Sequence, residues 1–118
     1  MTGIAGGVNI AMKVPAHQYD GVVAFYRETL ECEEIEGGSD VSFRFGPNRL
    51  WIDRVPQLSR AEIWLELVSK DFGAAAQQLE QAGIVRDDAI EPLPETMTAG
   101  WFFNPAGIVH LLRQDTTP

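Results

Sequence analysis

An internal repeat constrains this chain more than any other feature. The segment Val8-Asn9-Ile10-Ala11-Met12-Lys13-Val14 can be laid over Ala61-Glu62-Ile63-Trp64-Leu65-Glu66-Leu67, and a helical stripe follows each at nearly the same offset. The chain therefore reads as a tandem of strand-helix-strands units with a period of about 50 residues. A free unit of about that length buries too little apolar surface to stand alone. The two halves are thus expected to share one curved, cup-like mixed sheet with helices on its outer face, an α+β fold in which the enclosed groove is the natural ligand site. The expected organisation is a single domain over residues 1–118, with a first βαβββ module at about residues 8–56 and a second at about 60–114.

Local patterns place the elements. Ile10, Met12 and Val14 alternate with Asn9, Ala11 and Lys13, the period-2 signature of a half-buried strand, and Pro15 ends it. Ala16 to Tyr19 reads as a connection, with Asp20 capping a helix whose Val22, Val23, Phe25, Tyr26 and Leu30 fall three and four apart. Gly37-Gly38 marks a turn, Val41 to Phe45 a strand, Gly46-Pro47-Asn48 a hairpin connection and Leu50 to Val55 the strand after it. Cys32 to Ile35 reads as an edge strand. In the second half a strand over Glu62 to Val68 leads to Asp71 as cap, to the stripe Phe72, Ala75, Ala76 and Leu79, and to Gly83 as helix stop. Glu91 to Glu95 reads as a Pro-rich loop, Trp101 to Phe103 as a strand, and Asn104 to Gly107 as the turn into a last strand, Ile108 to Arg113.

Composition removes several classes of function. Nine Lys and Arg against 17 Asp and Glu leave a net charge of −8, which disfavours nucleic acid and anionic membrane surfaces. A hydrophobic content of 45% supports a packed core rather than an acidic disordered tail. The single cysteine, Cys32, has no intramolecular disulfide partner, and its acidic neighbours Glu31, Glu33 and Glu34 disfavour the thiolate. Met1 to Gly7 has neither the basic start nor the apolar run of a signal peptide, and no apolar stretch reaches the length of a membrane span, so a cytoplasmic location is expected. Phosphate-binding glycine loops, His-Glu-x-x-His and Gly-x-Ser-x-Gly are all missing, which leaves nucleotide-dependent transfer, zincin proteolysis and serine hydrolysis without support.

The order of these elements, with Ala24-Phe25-Tyr26-Arg27-Glu28-Thr29-Leu30 after the first strand and Trp101-Phe102-Phe103-Asn104-Pro105-Ala106-Gly107 before the last, resembles the vicinal oxygen chelate superfamily. That group contains glyoxalase I, extradiol dioxygenases, fosfomycin-resistance enzymes and bleomycin-resistance proteins. The resemblance spans about residues 8–113 and implies a homodimer that binds a small molecule. In metal-using members it implies His and Glu ligands from the first and last strands of each module. Here those positions fall on Asn9, on Glu62, near Trp51 or Asp53, and on Leu111, with His110 one place away. A one-residue slip turns a side chain to the other face of a strand, so His110 reaches the groove only through a bulge. If a divalent metal is bound, its candidate ligands are Glu62, Asp53 and His110.

The candidate ligand-binding residues are Lys13, Trp51, Asp53, Trp64, Glu66, Trp101 and His110. Lys13 and Glu66 occupy matching polar positions of the two modules and either line the groove or form ion pairs. The tryptophans alternate out of phase with aliphatic neighbours, which places at least two of them on the groove face as walls for a flat or cationic guest. His110 reads either as a hydrogen-bonded core histidine or as a ligand, and His17 as a loop residue. Two functions follow. One is a metal-free protein that holds an organic ligand in an aromatic, acidic groove. The other is a divalent-metal-dependent lyase, isomerase or dioxygenase acting on a substrate with vicinal oxygens.

Overall fold

A computed structural model describes residues 3–118. Met1 and Thr2, the start of the stretch read for a signal peptide, lie outside the described residues. The elements in chain order are β1 (Ile4–Gly6), β2 (Asn9–Val14), α1 (Ala16–Ala24), β3 (Glu34–Ile35), β4 (Val41–Phe45), β5 (Asn48–Arg54), β6 (Glu62–Ser69), α2 (Phe72–Gln81), β7 (Val85–Arg86), β8 (Ala99–Phe103) and β9 (Val109–Gln114). Two compact units result: an N-terminal module, Val8–Trp64, and a C-terminal module formed by Leu65–Pro118 with the residues up to Gly7. The class is α+β, and the βαβββ order is present twice, as β2-α1-β3-β4-β5 and as β6-α2-β7-β8-β9. Among the described residues, no helix is long and apolar enough to cross a membrane.

In the N-terminal module β5 lies between β4 and β2, antiparallel to the first and parallel to the second, and β3 pairs beyond β4. Residues 62–64 of β6 pair antiparallel with β2 on its other side. Alternation sends Val14, Phe43, Leu50 and Ile52 to one face, where they pack with Val23 of α1 and with Tyr19, Val22 and Tyr26. Fully burying side chains of this size stabilises by about 1.5–3 kcal/mol each relative to exposure, so this face holds the module together. The opposite face carries the polar alternates.

The helix departs from expectation at its start. It begins at Ala16, immediately after Pro15, so His17 and Asp20 are helical residues and Asp20 is not its cap. Pro15 (φ −58°, ψ 152°) fixes the extended entry, and its carbonyl accepts from Gln18 N at 3.0 Å. A proline with its φ already near the helical value replaces a side-chain cap here. The far end widens into a π-helical turn over Phe25–Thr29, closed by Leu30 N donating to Phe25 O at 2.9 Å.

The C-terminal module repeats the plan: β6 is parallel to β9, β9 antiparallel to β8, β8 to β7, and β1 antiparallel to β6. α2 starts as the sequence predicts, with Asp71 accepting from Ala74 N at 3.0 Å, and it stops before Gly83, whose φ of +81° suits glycine. Ala75 and Ala76 of α2 pack on Phe102 and Leu112, with Leu67, Leu79 and Ile84 around them. The three-residue β1 and two-residue β7 are absent from the sequence reading, whereas β3, equally short, falls within the edge strand read over Cys32 to Ile35.

Candidate functional site

The face of the N-terminal module opposite α1 is assembled by register. β2 places Lys13 beside Asp53 of β5 and Glu62 of β6, and places Ala11 between Trp51 and Trp64. Trp51 and Trp64 therefore share this face, flanking the smallest side chain on it. Lys13 is only 3% exposed, and its ammonium lies 2.8 Å from Asp53 Oδ2 and 4.3 Å from the centroid of the Trp64 ring. An ammonium removed from water is tolerated only with such partners, a carboxylate and an aromatic face. Asp53 Oδ1 is buried and has no hydrogen-bond partner among the described residues. An orphaned carboxylate oxygen is an acceptor waiting for a donor, since leaving it unsatisfied costs about 1–3 kcal/mol or more.

The remainder of this face is braced by hydrogen bonds that the sequence did not reveal. Trp51 Nε1 donates to Asn9 Oδ1 at 2.9 Å, and Trp64 Nε1 to Glu62 Oε1 at 3.0 Å. The Arg49 guanidinium stacks 4.0 Å over the Trp51 ring while donating to Ser42 Oγ at 2.9 Å and Gly37 O at 3.0 Å. Ser42 meets Arg49 across the β4–β5 hairpin, whereas Asn9 meets Arg49 and Trp51 because β2 and β5 pair in parallel across some 40 residues of chain. No local sequence signal announces that pairing; the one available clue was that Asn9, Trp51 and Asp53 all occupy polar phases of their strands.

In the C-terminal module the face opposite α2 carries Glu66, Leu111, Arg113 and Trp101, joined by the pairs Glu66↔Leu111 and Trp101↔Leu111. Glu66 is 8% exposed, and Arg113 grips it with Nε at 2.9 Å from Oε2 and Nη2 at 3.5 Å from Oε1. Gly7 makes room for that carboxylate, because a Cβ there would come within 2.1 Å of Glu66 Oε1. Trp101 is buried, its Nε1 donating to Glu91 O at 2.9 Å and its amide to Asp88 Oδ1 at 2.9 Å. It anchors the loop after β7 and has almost no surface left for a guest, which corrects its reading as a groove wall.

His110 also requires correction. It pairs with Leu65 and Phe102 in an unbroken ladder, without the bulge that would have turned it, so it lies on the face that α2 covers. Of the metal candidates, Glu62 and Asp53 flank Lys13 in the N-terminal module and His110 belongs to the C-terminal one, and no group of three His, Cys, Asp or Glu suited to a metal ion occurs among the described residues. Asn9 is engaged with Trp51, Glu62 with Trp64 and Asp53 with the Lys13 ammonium, while Leu111 has no donor atom. The Lys13 ammonium already neutralises the half-buried Asp53 carboxylate. Engaged in this way, these donors do not fit a divalent ion.

No protein-family model and no curated protein matches the chain by sequence. Solved structures do match by fold. A hypothetical protein from Bacillus halodurans is similar with a TM-score of 0.68 at 12% identity, over 97% of both chains. A glyoxalase/bleomycin resistance protein/dioxygenase superfamily member from Vibrio splendidus gives 0.61 at 11% identity, over 94% of this chain and 100% of that one. The Mn(II)-bound glyoxalase from Novosphingobium aromaticivorans gives 0.62 at 17% identity, over 98% of this chain and 40% of that one. The chain thus shares its fold with solved structures that include glyoxalase/bleomycin resistance/dioxygenase superfamily members.

Proposed function

We propose that this chain is a small-molecule binding protein of the glyoxalase/bleomycin-resistance type that holds a flat organic guest without a divalent metal. The observation that carries this reading is the buried, unpartnered Asp53 Oδ1 on a face walled by Trp51 and Trp64. The guest supplies an N–H or O–H donor to that oxygen and a π-face to the indoles. Lys13 holds the other carboxylate oxygen and keeps Asp53 aimed. The net charge of −8 contributes less to selection than the sequence suggests, because Asp53 and Glu66 are already offset by Lys13 and Arg113. The homodimer implied by the resemblance is part of the same proposal, and sedimentation velocity reads it directly.

Tryptophan fluorescence titration of chelator-treated protein with aminoquinoline, and with quinoline as its donor-free counterpart, tests the reading. Aminoquinoline is expected to quench at lower concentration than quinoline. Asp53→Asn is expected to weaken it at least about tenfold, the loss of one hydrogen bond to a charged group. Equal binding of both compounds by the unaltered chain, or equal binding of aminoquinoline by both proteins, would overturn the role of Asp53. Stoichiometric uptake of Mn, Fe, Ni or Zn by the purified chain would overturn the metal-free part.

A further inference from the structure

One end of the Asp53 face is cationic. Arg49 is the register partner of Arg44 across β4 and of Asn9 across β2, and Trp51 and then Asp53 follow it in phase along β5. Like charges directly opposite one another on paired strands repel unless something offsets them. Glu33 offsets Arg44, with Oε1 3.4 Å from its Nε. Arg49 has no such partner. Among the described residues, Lys13, Arg27, Arg44, Lys70, Arg86 and Arg113 each pair with a carboxylate, and Arg54 and Arg60 are exposed. Arg49 is thus the one half-buried cation without a carboxylate, in a chain whose acids outnumber its bases by 17 to 9.

Neutral groups hold this guanidinium in place. Its Nε donates to Ser42 Oγ at 2.9 Å and its Nη2 to Gly37 O at 3.0 Å, while Cζ lies 4.0 Å over the Trp51 ring. The loop that offers Gly37 O is tight against the same indole, since a Cβ on Gly38 would come within 3.2 Å of Trp51 Cη2. These contacts fix the group and neutralise none of its charge. Three of its five N–H groups, both on Nη1 and one on Nη2, have no partner among the described residues. A planar fork with adjacent spare donors matches a carboxylate, and its being held in advance removes part of the entropic cost of binding.

Arg49 and Asp53 are separated by four residues on one face of one strand, about 13 Å between Cα atoms at ~3.3 Å per residue, with Trp51 between them. The Arg49 end offers donors, and the Asp53 end offers the buried acceptor Oδ1. Lys13 already offsets the Asp53 charge, so that end does not repel an anion. We propose that this face takes an aromatic carboxylate, with its acid group on Arg49 Nη1 and Nη2 and its N–H or O–H donor, on the remote side of the ring system, directed to Asp53. The inference rests on the reading of this face as the ligand site, and it makes the guest an anion where the acidic composition favours a cation.

Tryptophan fluorescence titration of the intact chain tests it, using an aminoquinoline carboxylate with the acid group on the ring remote from the amine, and the matching carboxamide. The carboxylate is expected to bind at least about tenfold more tightly than the carboxamide at about 20 mM salt, and to lose most of that preference at about 500 mM. Arg49→Gln is expected to bring the preference to about one. Arg49→Lys, which keeps the charge without the fork, is expected to retain about threefold. Arg54→Gln, which removes an exposed cation, is expected to retain all of it. Equal binding of the two compounds by the unaltered chain, a preference that survives Arg49→Gln, or one lost equally in Arg54→Gln would each overturn the inference. Should both Arg49 variants fail to fold, the two compounds and the salt dependence on the unaltered chain decide. Quinoline carboxylate, which lacks the amine, separates this inference from the role of Asp53. A carboxylate preference with no effect of the amine or of Asp53→Asn sinks the Asp53 role alone, and an amine effect without a carboxylate preference sinks the Arg49 role alone. If none of these compounds quenches, both fall.

Discussion

In the N-terminal module the first strand supplies a cation and its parallel neighbour a carboxylate, Lys13 against Asp53. In the C-terminal module the first strand supplies the carboxylate and the neighbour the cation, Glu66 against Arg113. Lys13 and Glu66 occupy matching positions of the repeat, so the same architectural slot holds an ion pair of reversed polarity. The two pairs differ in how completely they are satisfied. Arg113 presents a planar fork that reaches both oxygens of Glu66, whereas the Lys13 ammonium is a point donor that engages one oxygen of Asp53 and leaves the other buried and unpartnered. The C-terminal pair is closed upon itself; the N-terminal pair retains bonding capacity. That difference is why the candidate site is assigned to the N-terminal module.

The contrast can be broken by substitution. Lys13→Met strands the Asp53 carboxylate in a buried site and is expected to cost about 3–5 kcal/mol in urea unfolding, whereas Lys13→Met with Asp53→Leu is expected to recover most of it. If the double substitution is no better than the single one, Lys13 stabilises through something other than the pair. Arg113→Met, with Arg113 more exposed than Lys13, is expected to cost about 2–3 kcal/mol. Gly7→Ala drives a Cβ into Glu66 and is expected to cost about 1–3 kcal/mol, falling toward zero in a Glu66→Ala background. Asp71→Ala removes a side-chain cap that α1 does not have and is expected to cost about 1 kcal/mol.

The smallest effect is in acid. Asp88 is held below its ordinary value of 3.8 chiefly by the hydrogen bond from Arg86, and Asp115 is lowered to about 2 by hydrogen bonds from the Thr117 hydroxyl and amide. In both, the ionised form favours the folded state, so their contribution is complete above the unfolded value and fades as pH falls through the folded one. A shallow drop in Tm is expected from 3.8 downward toward about 2, arising in the C-terminal module. Asp88→Asn should reduce the slope; an unchanged slope would show that the Asp88 carboxylate contributes nothing to stability.

Periodicity made most of the strands, α2 with its Asp71 cap, and the βαβββ repeat legible, because alternation and capping are properties of contiguous residues. The same alternation separated Lys13, Trp51, Asp53 and Trp64 from the apolar core. The start of α1 was not legible, since Asp20 offered a conventional cap while Pro15 performed the task earlier. His110 was ambiguous in sequence because one residue of slip reverses its face, and only the ladder to Leu65 and Phe102 resolves it. Trp101 was misread because its partner, the carbonyl of Glu91, lies in a loop with no pattern.

The sequence by itself determined the α+β class, the repeat and which strand positions are polar, since these follow from the spacing of apolar residues along the chain. The tertiary structure alone decided which polar residues meet. Parallel pairing joins Lys13 to Asp53 and Glu66 to Arg113 across 40 and 47 residues, and whether a carboxylate oxygen ends up satisfied or orphaned depends on the geometry of donors brought from those distances.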